Sequence, residues 1–265
     1  MFHYSKKIDF MKFCIEQPQK NIELGSFSSN TKPYEATLVE LSRELPHMRQ
    51  IMTNAIEKLP CDKFSFSIVC TKENVNYIKE HIKDKISKYI IIHELPEYFK
   101  ITNVNEYNNT LYTNIFWDFF KNKEKVLLMQ EDTYIFKNNI QDFVNYDYIG
   151  APWKYSIVKD YDIKFGNGGF SWRSVKLMKE AIEKESEITK EIKKIEKPQC
   201  YGRFEKYPED VFFSFSAVYL KNYDLPTFEI AQKFSTENIC CKESFGGHQF
   251  WMSDPNWKDR IKISK

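Results

Sequence analysis

Between residues 36 and 129 the chain repeats one pattern: a short apolar run, then a longer stretch with apolar residues three and four apart. Ala36–Leu41, Phe64–Cys70, Tyr89–His93 and Val126–Met129 read as strands. Leu45–Leu59 reads as a helix, with Met48, Ile51, Met52, Ala55, Ile56 and Leu59 on one face. Asn74–Ile86 and Val104–Phe120, the latter carrying Leu111, Ile115 and Phe119, read the same way. The run Val126-Leu127-Leu128-Met129 has no polar residue, as expected of a central strand buried on both faces. This alternation predicts an α/β fold with a doubly wound sheet. Ligands of such sheets bind beyond the carboxyl ends of the strands. That places the expected site among Ser42-Arg43, Thr71-Lys72, the loop after His93, and Gln130-Glu131-Asp132-Thr133.

At 265 residues, 42% of them hydrophobic, the chain is long enough to bury a full core. A formal net charge of only +2 argues against nucleic acid as the partner, since a phosphate-tracking surface shows a basic excess. No apolar run approaches the ~18–20 residues needed to span a bilayer, and none follows the basic residues at the start. The expectation is a protein of a cytoplasm-like compartment with no transmembrane segment. The six cysteines form no C-x-x-C pair and the five histidines no H-x-x-x-H pair, so a zinc enzyme is not expected. Neither a P-loop nor G-x-G-x-x-G occurs, which weakens nucleotide-hydrolase and dehydrogenase readings. No repeat or linker divides the chain. The organisation expected is an N-terminal extension over 1–35, one domain over 36–255 with halves 36–135 and 136–255, and a solvated basic tail over 256–265.

Three of the eight glycines fall in Gly166-Asn167-Gly168-Gly169-Phe170-Ser171, which reads as a loop opening a helix over Ser171–Lys184. Glycines there let backbone approach a ligand; a tight connecting loop is the plainer alternative. Glu185–Lys197, with interleaved charges, reads as a solvated helix or mobile loop. Gln130-Glu131-Asp132-Thr133 leaves the buried strand; in extended chain Gln130 and Asp132 share a face and Glu131 points away. Asp132 there suits a divalent ion, although an Asp that hydrogen-bonds its own turn is equally consistent. Pro208-Glu209-Asp210-Val211-Phe212-Phe213 starts a helix. Its acids either cap the helix or supply a carboxylate base, and the helix terminus is expected to depress the pKa of Asp210. His248, after Gly246-Gly247, reads as a loop residue folding back over a site or as a core-edge histidine.

Taken together, these segments resemble a family. They are Q-x-D after a strand, Y-D-Y-I-G-A-P-W (146–153), G-N-G-G-F-S-W-R-S (166–174), P-E-D-V-F-F (208–213), A-Q-K-F-S-T-E (231–237) and G-G-H-Q-F-W (246–251). The chain is similar to a poorly characterised glycosyltransferase-like family of the GT-A fold, a Rossmann-like mixed sheet flanked by helices. More distantly it resembles the fringe-like β-1,3-glycosyltransferases. The resemblance implies a nucleotide-sugar donor, foremost a UDP-sugar, and a glycan or glycoprotein acceptor. It also implies a divalent cation, Mn²⁺ or Mg²⁺, held by Asp132 and His248. Gln130 stands where the first acid of the metal motif usually is, which puts metal dependence in question. Asn167, Gly168 and Gly169 would line the donor, and Asp210 would act as catalytic base, with inversion. Trp153, Trp172 and Glu209 would lie on the acceptor side. Arg43 and Thr71 are assigned to the nucleotide from their place at strand ends. A retaining transferase, an inactive nucleotide-sugar or glycan-binding relative, and a metal-dependent nucleotidyl- or phosphotransferase remain as rivals.

Overall fold

The computed structural model describes residues 2–18, 22, 32–83, 86–158, 161–195 and 206–263. Cys200, the end of the charged stretch at 196–197 and the last two residues of the tail lie outside the described residues. Nine strands and ten α-helices are described, in a mixed α/β arrangement.

The first half follows the predicted alternation. Strand β1 (Tyr34–Val39) leads through α2 (Met48–Lys58) to β2 (Phe64–Cys70). Helix α3 (Val75–Ile82) leads on to β3 (Ile90–Glu94). Helices α4 (Val104–Leu111) and α5 (Asn114–Asp118) then precede β4 (Lys125–Met129). The single helix expected over 104–120 is therefore two. Tyr112 and Thr113 break it, and the Thr113 hydroxyl caps α5 by accepting from the Phe116 N–H. These four strands are parallel, in the order β3-β2-β1-β4. Strand β2 is buried throughout and β1 and β4 after their first residue, as expected of strands covered on both faces, whereas the edge strand β3 is mostly half-exposed.

The glycine-rich segment departs from expectation. It is not a loop opening a helix: residues Asn167–Ser174 form strand β7, antiparallel to β4, with β6 (Tyr148–Ala151) outside it. The main sheet is thus a mixed, six-stranded one. The helix predicted at Ser171 begins four residues later, as α6 (Val175–Glu183), capped by the Ser174 hydroxyl. Alternation within β7 explains this. Phe170 and Trp172 are fully buried, and a segment with apolar residues at every second position packs as a strand. Helix α7 (Glu185–Ile195) follows, with Ile188 and Ile192 buried, so the charged stretch is a packed helix in its described part. Helices α8 (Glu209–Leu220) and α9 (Phe228–Phe234) complete that side. A small second sheet joins β5 (Thr133–Ile135), β9 (Gly246–His248) and β8 (Ser235–Thr236), in that spatial order.

Both ends of the chain are part of the core. Helix α1 (Phe2–Ile15) buries Phe10 completely, and Phe10 stacks on Trp251 with ring centroids 4.6 Å apart. Helix α10 (Trp257–Ile263) buries Trp257 and Ile261. The tail expected to be solvated is a packed amphipathic helix, and α1 is no detached extension. No helix among the described residues is long and apolar enough to cross a membrane.

Candidate active site at the carboxyl end of strand β4

Strand register brings the predicted residues together. Across β5 and β9, Thr133 pairs with His248, so Asp132, one residue earlier, meets the imidazole. Asp132 Oδ1 lies 3.1 Å from His248 Nε2. Across β8 and β9, Thr236 pairs with Gly247, which brings Glu237 Oε1 to 3.5 Å from His248 Nδ1. On the neighbouring sheet the Gln130 N–H donates to the Gly169 carbonyl at 3.0 Å, extending the β4–β7 pairing. A side chain on Gly169 would collide with the His248 ring: a Cβ there would lie 2.3 Å from Cε1. Gly168 faces the other way. A Cβ there would lie 2.1 Å from Glu209 Oε1 and 3.1 Å from the Asp210 Cβ. These two glycines therefore let β7 run between the His248 ring and the start of α8.

Asp210 sits at the first turn of α8 and accepts from the Gly168 N–H at 3.3 Å. Its pKa is not depressed, contrary to the capping argument: it is pushed up to about 7. Burial is the main cause and the neighbouring Glu209 carboxylate the second, and together they outweigh the hydrogen bond from Gly168 and the Arg173 charge. His248 moves oppositely for its class. Burial works against the charged ring, but Asp132 and then Glu237 prevail and raise its pKa to about 10. At neutral pH the ring is an imidazolium. The Asp132 carboxyl, despite its burial, is held well below the usual range by His248 and then by Lys7.

The loop carrying Glu131 and Asp132 is a turn, closed by the Thr133 hydroxyl donating to the Gln130 carbonyl. Alternating faces therefore do not apply, and both acids are buried side by side. Lys7 of α1 bridges them, with Nζ 2.5 Å from Glu131 Oε1 and 3.5 Å from Asp132 Oδ2. Arg43 Nη1 reaches the same Glu131 oxygen at 2.7 Å, while its Nη2 pairs with Glu40 at 2.6 Å. Gln249, in the left-handed region at φ 45°, donates to Asp132 through both its backbone N–H and its side-chain amide, each at 3.0 Å. Such a conformation is costly for a residue other than glycine, and here it holds Asp132 in place.

This donor set does not fit the divalent cation that the resemblance implies. Asp132 Oδ2 already accepts from two N–H donors, those of Lys7 and Gln249. Among the described residues, no three His, Cys, Asp or Glu side chains are grouped so as to hold a metal ion.

The remaining predicted residues divide. Arg43 and Gln130 line a cleft of about 350 Å³ at the ends of β1 and β4, with Glu40, Asn103 and Tyr107. The Gln130 side-chain amide donates to the Tyr107 hydroxyl at 3.0 Å. Asn167 Oδ1 accepts from the Gly169 N–H at 3.1 Å and shapes the glycine turn. Thr71 is buried, its hydroxyl donating to the Leu41 carbonyl at 2.7 Å, where it ties two strand ends together. Trp153 packs partly buried at the rim of the core, its N–H on the Lys164 carbonyl. Trp172 is not an acceptor-side residue. It is fully buried, with its ring packed against those of Tyr34 and Phe64. Glu209 is also buried, and both its oxygens are taken by Arg173 at 2.5 and 3.0 Å.

Sequence reasoning missed Lys7, Glu131, Glu237, Tyr107 and Arg173. Arg173 left a signal, being a charged residue inside an alternating apolar strand. Lys7 left none, because it reaches Glu131 and Asp132 only through the docking of α1.

The fold and the cleft define an α/β protein with a mixed six-stranded sheet, whose ionisable groups gather beyond the carboxyl end of its central strands. The chain belongs to the family described as "Protein of unknown function (DUF5672)", which matches residues 89–248 and so includes β4, β7, Asp210 and His248. No curated protein matches the sequence. Among solved structures the chain is similar to that of the galactosyltransferase LgtC in complex with donor and acceptor sugar analogs. Identity is 10%, the TM-score 0.47, and the match covers 68% of this chain and 69% of that one.

Proposed function

We propose that this protein is a GT-A-type glycosyltransferase that moves a sugar from a nucleotide-sugar donor to a hydroxyl acceptor, with Asp210 as the base. One observation carries the reading. A carboxyl group with a pKa near neutrality and a charged imidazole flank the same pair of glycines, beyond the end of a central strand. The chemistry of sugar transfer asks for this division. The acceptor hydroxyl must lose a proton, and a base with a pKa near 7 is matched to that task. The departing diphosphate gains negative charge, and a fixed cation there lowers the barrier. His248, locked by Asp132 and Glu237, supplies such a charge. Arg43, half exposed at the edge of the cleft, supplies N–H donors for phosphate or ribose. With Asp210 as base, the transfer would be a single displacement with inversion.

The test is a thermal-shift panel of UDP-, GDP-, dTDP- and CMP-sugars, followed by mass spectrometry for transfer to pooled oligosaccharides. A bound donor must raise the melting temperature. Asp210→Asn should keep that shift and lose transfer by about 10²-fold or more. If no nucleotide sugar raises the melting temperature, the reading fails.

A further inference from the structure

The fold holds a fully buried arginine. Arg173 is completely inaccessible, and its partner Glu209 is nearly so. Withdrawing two charges from water is repaid only by very good geometry, and apolar residues of similar volume are often as stable. The pair therefore asks for a reason beyond stability. Its other contacts supply one.

Arg173 Nη1 and Nη2 hold the two oxygens of Glu209, at 2.5 and 3.0 Å. Nε donates to the Ser171 hydroxyl at 2.8 Å, and that hydroxyl donates on to the Gly168 carbonyl at 3.1 Å. Nη2 also reaches the Gly168 carbonyl, at 3.4 Å. The N–H of the same Gly168 donates to Asp210 Oδ2. Gly168 is thus gripped at its carbonyl by Arg173 and Ser171, and it presents its N–H to the base. Glu209, fixed by the same guanidinium, is the residue beside Asp210 at the start of α8. The rings of Tyr148 and Phe213, 5.0 and 5.8 Å from the guanidinium carbon, prevent Arg173 from swinging away.

We infer that Arg173 is the positioning residue of this site: through Ser171 and Gly168 on one side and Glu209 on the other, it sets the orientation of Asp210 and the charge that Asp210 faces. Arg173 touches no reacting atom; it acts through the glycine peptide and the neighbouring acid. The inference rests on Asp210 being the base of the proposed transfer, but the geometry it describes can be measured with no substrate at all. Among the described residues, the ionisable groups facing Asp210 are Glu209 on its own helix, Arg173 on β7, Tyr148 on β6, and Tyr112 at the end of α4.

Two variants test it, Arg173→Lys and Ser171→Ala. Lysine keeps the charge and loses the planar fork. Ser171→Ala removes only the bridging hydroxyl and serves where Arg173→Lys does not fold. Two quantities are read by NMR on the otherwise intact chain. One is the hydrogen-exchange rate of the Gly168 amide relative to those of β1. The other is the titration midpoint of the Asp210 carboxyl, assigned with Asp210→Asn. Losing a charge-assisted grip should speed Gly168 exchange roughly tenfold while β1 is unchanged. With the Gly168 N–H no longer held on the carboxylate, the Asp210 midpoint should move upward. Movement of either quantity in a folded variant supports the positioning role. A folded variant that keeps both at wild-type values overturns it, whether or not a nucleotide sugar binds. Failure of every nucleotide sugar to bind, with Gly168 released as expected, would instead remove the transfer reading and leave the positioning intact.

Discussion

Asp210 shows how little the local rule for a residue decides once it is buried. Two acids at a helix start should be stabilised as anions by the exposed N–H groups. Here burial and the adjacent Glu209 carboxylate reverse that, and the pKa stands at about 7. The consequence for stability has a definite sign. A carboxyl with a raised folded-state pKa favours folding when protonated, so its contribution is complete below the unfolded value near 4. It is lost as pH rises through 7. Asp210→Asn, which keeps an acceptor for the Gly168 N–H, should be more stable than wild type by about 2–4 kcal/mol at pH 8. The gain should disappear at pH 4. Chemical denaturation of the two proteins across this range measures it, and a pH-independent difference would show that Asp210 titrates normally.

Among the elements, β7 carries most of the site. Its sequence read as a loop opening a helix, not as a strand. Three glycines in four residues suggest a loop, whereas the partner β4 supplies a ladder that an isolated segment lacks. Gly168 and Gly169 are needed because α8 and β9 pack against that strand, and neither neighbour can be seen in the local sequence. The Arg173–Glu209 pair links β7 to α8. Removing one partner leaves a buried charge unpaired, which costs far more than the pair itself contributes. Glu209→Ala should lower the unfolding free energy by about 3–5 kcal/mol in urea denaturation. A loss under about 1 kcal/mol would mean that water reaches the guanidinium.

At the scale of the whole molecule, the two ends of the chain close the fold against each other. Phe10 of α1 packs on Trp251, Phe250 and Trp257, and Asp9 pairs with Lys258 of α10 at 2.8 Å. The same docking delivers Lys7 to Glu131 and Asp132. Phe10→Ala should therefore destabilise by about 3–5 kcal/mol, as for other buried aromatic truncations. It should unfold α1 and the cleft together, in one transition followed by circular dichroism and tryptophan fluorescence. A separate early transition for α1 would instead make it a detachable element.

The sequence by itself determined the alternation of strands and helices in the first half and the central place of β4. Periodicity and turn chemistry are local properties, and they can be read wherever the pattern spans a full element. Only the tertiary structure decided that β7 is a strand, that Trp172 faces the core, that Lys7 pairs with Glu131 and Asp132, and that Asp210 holds its proton to near neutrality. Each of these depends on what lies across a strand ladder or beneath a docked helix, and contacts between residues distant in sequence leave no periodic trace.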